Sequence, residues 1–308
     1  MRIVVIAPPT FEPLEALRRE APETEIFAGE NVEELRAALP GAEVVLLAPR
    51  HGRILTELWR NLTATKWIHT LAAGVESLPF DLLRRSEIVV TNSRGLYADA
   101  LGEFAIVAML WFAKDLRRLI RNQAARQWEP FNVERLEGKT VGIIGFGGIG
   151  QAIGRRASTL GMHVISVRRQ QEFGDPSIDD AIADSDYVVL STPLTPSTFR
   201  LMSRERIASM RRNAVLINVS RGQIVDETAL AEALAKHEIR GAALDVFEVE
   251  PLPIESPLWA LDNILISPHS ADHTDDSHHR AMTFFIENLR RFQRGESLEN
   301  VVDKEQGY

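Results

Sequence analysis

Three ionisable side chains, Arg221, Glu250 and His269, each follow an apolar run of strand-like residues. An arginine grips a carboxylate in bidentate fashion and keeps its charge at any working pH. A histidine titrates near neutrality and can pass a proton to a developing alkoxide. A carboxylate beside it would hold the imidazolium and raise its pKa. With a nicotinamide cofactor, such a set suits hydride transfer to a 2-oxo acid. Each residue also has a plainer reading: His269 as a structural histidine at a strand end, Arg221 as a surface charge, and Glu250 as part of a solvated acidic loop with Glu248 and Glu255. Spacing alone does not bring the three together.

A cofactor site is written more plainly. Residues 141–144 form a β-branched run leading into Gly145-Phe-Gly147-Gly148-Ile149-Gly150, and a helix-like stretch follows. In such a strand–turn–helix, Gly145 allows the turn, Gly147 lets a phosphate approach the backbone, and Gly150 lets helix and strand pack closely. The helix N-terminus at Gly148 and Ile149 offers N–H groups and a positive dipole end to a pyrophosphate. A second strand, 163–167, completes the context the motif requires.

The elements that must position these residues alternate along the chain. Strands are expected at 3–7, 25–28, 43–48, 66–71 and 87–91, with helices at 13–20, 32–39 and 54–62 between them. One long helix is expected over 97–127, apolar nearly all round from 104 to 113, which suits burial in a core or an interface. After the glycine motif come strands at 163–167, 187–191, 214–219, 241–247 and 263–267, and helices near 178–183, 204–210, 228–236 and 277–292. Such alternation predicts parallel sheets covered on both faces, which bind ligands beyond the carboxyl ends of their strands. Thr192 and Pro193, Val219 and Ser220, and Asp245 stand at such ends and join the expected cofactor contacts.

Composition sets the outer limits. The 308 residues suit two domains, each large enough for its own core. A net charge of −8 argues against nucleic acid or an anionic membrane as the main partner. No cysteine is present, so thiolate chemistry is excluded. The N-terminus reads as a first strand rather than a signal peptide, and the longest apolar run is too short to span a bilayer. A soluble cytoplasmic protein is expected.

Several motifs occur in order: Ala72-Ala-Gly-Val75, Ala100-Leu-Gly-Glu103, Gly138-Lys-Thr-Val-Gly142, Ser191-Thr-Pro-Leu-Thr195, Asn218-Val-Ser-Arg-Gly222, Ala243-Leu-Asp-Val-Phe-Glu-Val-Glu-Pro251 and Ser267-Pro-His269. Together they resemble the D-isomer-specific 2-hydroxyacid dehydrogenases over nearly the whole chain. That resemblance implies two Rossmann-like α/β domains with an active-site cleft between them. Residues 1–97 plus 276–308 would form the substrate domain and 98–275 the NADP-binding domain. It also implies that Arg221 binds the substrate, His269 is the acid/base and Glu250 pairs with it. Main-chain N–H groups of Ala73 and Gly74 would cradle the substrate carboxylate, and Asp245 would orient the nicotinamide amide. The long helix would form much of a homodimer interface. With the sequence ending soon after its last helix, the regulatory extension of some phosphoglycerate dehydrogenases is not expected.

One departure bears on the cofactor. An acidic residue commonly bonds the ribose 2′-OH about 20 residues past the turn. That place, eighteen residues beyond Gly150, holds Arg168, followed by Arg169. Guanidinium groups bind a 2′-phosphate that a carboxylate would repel, so NADP is expected over NAD. The cluster His269, Asp272, His273, Asp275, Asp276, His278 and His279 invites a metal, but Thr274, Asp275 and Asp276 suit capping of the helix that follows, and no metal is expected. Arg50 reads as a second substrate contact or as a surface arginine. The combined reading is an NADPH-dependent reductase of a small 2-oxo acid, with glyoxylate or hydroxypyruvate foremost. The alternatives are a broader D-2-hydroxyacid dehydrogenase and a non-catalytic dinucleotide-sensing protein.

Overall fold

The computed structural model describes residues 1–168 and 176–307. The elements begin β1 (Arg2–Ile6), α1 (Leu14–Glu20), β2 (Glu25–Gly29), α2 (Val32–Ala38), β3 (Val44–Leu47) and α3 (Ile54–Leu58). There follow β4 (Trp67–Thr70), α4 (Phe80–Leu83), β5 (Val89–Asn92), α5 (Ala98–Ala113) and α6 (Leu116–Ala124). The glycine motif lies between β6 (Thr140–Ile144) and the body of α7 (Gly148–Thr159); then come β7 (His163–Val167), α8 (Ile178–Ala183), β8 (Tyr187–Leu190) and α9 (Arg204–Ser209). The chain continues through β9 (Val215–Asn218), α10 (Glu227–Ala235), β10 (Gly241–Leu244), β11 (Ile264–Ile266) and α11 (Ser277–Gln293).

Two compact units result, Met1–Tyr97 with Thr274–Tyr308, and Ala98–His273. The first carries a five-stranded parallel sheet in the order β2-β1-β3-β4-β5. The second carries a six-stranded parallel sheet in the order β11-β10-β9-β8-β6-β7. Strands buried on both faces need continuous apolar runs, and β3 (Val-Val-Leu-Leu) and β8 (Tyr-Val-Val-Leu) are buried at every position. In each sheet the strand order reverses once, between β1 and β3 and between β6 and β8. Such a switch point opens a crevice at the carboxyl ends.

Unit 1 closes around an aromatic stack. Trp67 on β4 lies against Phe285 of α11 with centroids 5.1 Å apart, and both side chains are fully buried. His69, two residues on and wholly buried, has its pKa pushed down to about 3 by burial, so it is neutral at any working pH. Its Nδ1 meets Thr91 Oγ1 at 2.6 Å. Beyond α11 the chain returns to β5, where Thr91 and Val301 form an antiparallel bridge.

The long helix expected over 97–127 is two helices. α5 ends at Ala113 because its last carbonyls are claimed from elsewhere: Arg240 Nη2 donates to Phe112 O (2.6 Å) and the Glu134 N–H to Ala113 O (2.8 Å). Asp115 then takes a left-handed φ of 48° and caps α6 by accepting from the Arg118 N–H. α5 itself packs on α7 through small residues; a Cβ on Gly102 would sit 3.3 Å from Ala152 Cβ. The expected caps of α11 also differ. Asp276 occupies the N-cap but makes no side-chain cap bond, since its carboxylate accepts the Thr274 hydroxyl at 2.7 Å. The strand expected over 241–247 stops at Leu244, which leaves Asp245 free to bond a neighbouring loop.

Replacing Phe285 by Ala removes one face of the Trp67 stack and leaves a cavity. The expected loss is about 3–5 kcal/mol from the unit that contains it, read as a lower urea midpoint by tryptophan fluorescence with an unchanged native spectrum.

Candidate functional site

Because all six strands of unit 2 are parallel, their six carboxyl ends open onto one sheet edge. At the switch point, Gly145 has φ +98°, and a Cβ there would lie 2.7 Å from Ser191 O. The same turn is tied to the next strand by Ser191 Oγ, which donates to Gly145 O at 2.7 Å. A Cβ on Gly150 would come within 2.2 Å of Gly145 O. Gly147 and Gly148 differ from these: nothing of the protein lies within 4 Å of where their Cβ would be. Gly147 is the N-cap of α7 and supplies no side-chain cap. The first-turn N–H groups of a helix have no intrahelical partner, so this end suits an anionic group. The residues present therefore fit a dinucleotide. Thr192 and Pro193 follow β8, and the buried Val219 and Ser220 follow β9. Arg168 follows β7 with its Cζ 5.4 Å from the centre of the Phe146 ring. Arg169 lies outside the described residues.

Glu250 and His269 meet. Glu250 Oε2 and His269 Nδ1 are 2.7 Å apart, and Glu250 Oε1 accepts the Phe247 N–H at 3.0 Å. A carboxylate has only acceptors to offer, so Nδ1 carries the proton and Nε2 is the ring nitrogen left for other chemistry. The Glu250 hydrogen bond holds the His269 pKa above its ordinary value against the opposing effect of burial. The charge of Arg221 acts the other way, lowering it.

The loops carrying Arg221, Glu250 and His269 are pinned by further residues of the same motifs and their neighbours. His269 has φ +53°, a conformation costly for a side chain with a Cβ. Asp245, buried, fixes that loop: its Oδ1 accepts from Ser267 Oγ (2.6 Å), Ser270 N–H (2.9 Å) and Ala271 N–H (3.1 Å). Burial nonetheless raises the Asp245 pKa. Asn218, also buried, shapes the arginine loop by donating from Nδ2 to Arg221 O at 2.9 Å. A Cβ on Gly222 would lie 1.9 Å from the carbonyl carbon of Phe247, so only glycine permits the approach of these two loops. Gln223 Nε2 donates to Glu248 O, and Glu227 and Glu248 each accept the other's N–H. An asparagine closing an apolar run and a glycine directly after the arginine were the available signals.

In unit 1 the loop after β4 has its carbonyls engaged. Asn92 Nδ2 donates to Ala73 O (2.7 Å), Ser93 N–H to Ala72 O (3.0 Å) and the Tyr97 hydroxyl to Leu71 O. Ala73 and Gly74 are half-buried there. Arg50 follows β3, exposed, with φ +71°. Among the described residues, no group of three or more His, Asp or Glu converges as a metal site, and no helix is long and apolar enough to cross a membrane.

If Glu250 governs the imidazole, Glu250→Gln lowers the His269 pKa. An NMR titration of that ring should show the midpoint falling in the variant; an unmoved midpoint would contradict the pairing.

Residues 106–271 match the D-isomer specific 2-hydroxyacid dehydrogenase, NAD binding domain. The glyoxylate reductase of Korarchaeum cryptofilum is 34% identical over 76% of this chain and 75% of its own. The D-3-phosphoglycerate dehydrogenase of Methanocaldococcus jannaschii is 31% identical over 97% of this chain, which spans only 59% of that protein's length. A D-isomer specific 2-hydroxyacid dehydrogenase from Xanthobacter autotrophicus Py2, solved with NADPH and MES, superposes with a TM-score of 0.81 at 30% identity, covering 100% of this chain and 99% of its own. With the glycine turn and the Glu250–His269 pair carried on one parallel sheet, the chain belongs to the D-isomer specific 2-hydroxyacid dehydrogenases, oxidoreductases built on a nicotinamide-dinucleotide domain.

Proposed function

We propose that this protein reduces a small 2-oxo acid of the glyoxylate or hydroxypyruvate type to the D-2-hydroxy acid, using NADPH. The observation that carries the reading is the 2.7 Å contact between Glu250 Oε2 and His269 Nδ1, which leaves Nε2 as an acid in a family of oxidoreductases. The substrate class follows from likeness to the glyoxylate reductases. The bound cofactor supplies the hydride. Gly147, Gly148, Ile149 and the N-terminus of α7 hold its pyrophosphate, with Gly145 and Gly150 making the turn. Thr192, Pro193, Val219 and Ser220 line its path, and Asp245 faces its amide.

The chain's own residues do the rest. Arg221, with the N–H groups of Ala73 and Gly74, holds the carboxylate of the acid and orients the carbonyl, and Arg50 is a further substrate contact. His269 delivers the Nε2 proton to the carbonyl oxygen as negative charge develops there, and Glu250 stabilises the imidazolium until it does. Arg168 and Arg169 favour a 2′-phosphate over a free hydroxyl. The protein acts as a soluble cytoplasmic homodimer, with α5, whose Val107 is 51% exposed, in the subunit contact. Residues 1–97 with 276–308 serve the substrate, and 98–275 serve the cofactor.

The sign of the pH dependence follows from the raised His269 pKa. Reduction needs the imidazolium, so kcat holds below that pKa and falls as pH rises through it. Oxidation of the hydroxy acid needs the neutral ring and runs the opposite way. Loss of the proton donor in His269→Ala should cost about 10²- to 10⁴-fold in kcat, with NADPH binding retained. Turnover left intact by that change would defeat the mechanism. NADPH oxidation across a panel of 2-oxo acids identifies the substrate, and silence with all of them despite NADPH binding favours a dinucleotide sensor.

Arg168→Asp tests the cofactor assignment. The wild type should show a higher kcat/KM with NADPH than with NADH, and the variant should reverse the order. Equal values in the wild type would remove the assignment.

A further inference from the structure

We infer that Phe146 is a positioning residue for cofactor discrimination: its ring holds the Arg168 guanidinium where a ribose 2′-phosphate is read, and so favours NADPH over NADH. The inference rests on the NADP reading above and adds a second residue to it.

Phe146 lies inside the glycine turn, between the strained Gly145 and the open Gly147, and is half-buried. Its ring is seated on α7 over Gly154, where the helix has no side chain. A Cβ on Gly154 would be 3.0 Å from Phe146 Cε2 and 3.2 Å from Cζ, with Ile143 Cδ1 at 3.6 Å from the same point. Gly154 is thus the floor that lets the ring lie down, and Ile143 braces it. Above the ring, Arg168 Cζ stands 5.4 Å from the centroid, inside the range of about 6 Å in which a cation is drawn to an aromatic face.

The guanidinium needs such a support. Among the described residues β7 is the edge strand of its sheet, paired with β6, and Arg168, one residue past its end, is exposed. A free arginine there samples many rotamers, and fixing it on an anion costs the entropy of that freedom. Lying on a braced ring, it is already restricted before the nucleotide arrives, and its planar fork keeps donors for a phosphate. NADH presents no 2′-phosphate and gains nothing from the restriction. The signature is therefore a change in the ratio of the two affinities rather than a loss of both, and a ring that merely stabilised the turn would weaken both nucleotides alike.

The test is equilibrium binding of NADPH and NADH to the full chain, read by nucleotide fluorescence. It uses the wild type, Phe146→Leu, Phe146→Tyr, Arg168→Gln, and Phe146→Leu combined with Arg168→Gln. An exposed cation–π contact corresponds to about a two- to five-fold effect. Phe146→Leu should lower the preference for NADPH by that factor, and Phe146→Tyr, which keeps the π face, should retain it. In the Arg168→Gln background, Phe146→Leu should change the preference no further. Gly154→Ala, which lifts the ring from its seat, gives a second route to the same reading should the leucine variant fail to fold. A wild type that favours NADPH, with Phe146→Leu or Gly154→Ala leaving that preference untouched, overturns the role of the ring while the NADP reading stands. A wild type with no preference for NADPH overturns both.

Discussion

The candidate chemistry depends on one short contact, between a glutamate and a histidine nineteen residues apart in sequence, 2.7 Å from oxygen to nitrogen. Neither side chain could hold it unaided. The histidine sits at φ +53°, a left-handed conformation whose cost is about 1–2 kcal/mol for a residue with a Cβ. Three hydrogen bonds converging on one oxygen of buried Asp245 stabilise that loop against its strain. The glutamate is set by its own loop, whose Phe247 N–H takes the second carboxylate oxygen. That loop is in turn pressed against the arginine loop by the missing side chain of Gly222. An error of an ångström in any of these supports would be felt at the imidazole.

The parallel sheet makes such convergence possible. Strands running one way expose all their carboxyl ends on one edge, so loops distant in sequence become neighbours there. The reversal of strand order between β6 and β8 adds a crevice, and the glycine turn occupies one wall of it while residues 191–193 occupy the other. Gly145 and Gly150 are needed for the protein's own packing, whereas Gly147 and Gly148 leave open space. Within one motif the four glycines thus divide between building the turn and leaving room beside it.

How far this was legible in the sequence follows from the range of the interactions involved. The parallel strands and the strand–turn–helix around Gly145 are encoded in contiguous residues, and both were readable. The end of α5 was not, because it depends on Arg240, 128 residues beyond the Phe112 carbonyl it captures; nothing local between Ala113 and Leu116 outweighs the continuing apolar pattern. Asp276 looked like a capping residue by type and place, yet Thr274 competes for its carboxylate. The contact between Glu250 and His269 could be inferred from resemblance but not from spacing. Among the supports, Gln223 and Glu227 carried no signal of their own: they look like ordinary surface residues until Glu248 is seen between them.

A common device recurs at the carboxyl ends of two strands, one in each unit. Asn92 ends β5 and Asn218 ends β9, and both are buried. Each accepts on Oδ1 the N–H two residues ahead, Arg94 at 3.3 Å and Ser220 at 3.0 Å, the local turn for which asparagine is suited. Each then donates from Nδ2 to a loop carbonyl, Ala73 O at 2.7 Å and Arg221 O at 2.9 Å. A buried amide left without partners is expensive, so each asparagine binds its loop in a single arrangement. In both cases a loop carbonyl faces the asparagine, and in the second the Arg221 guanidinium also donates, from Nη1 to Ser220 O at 2.6 Å. An asparagine at the strand end thus closes its own turn and ties down the loop with one side chain.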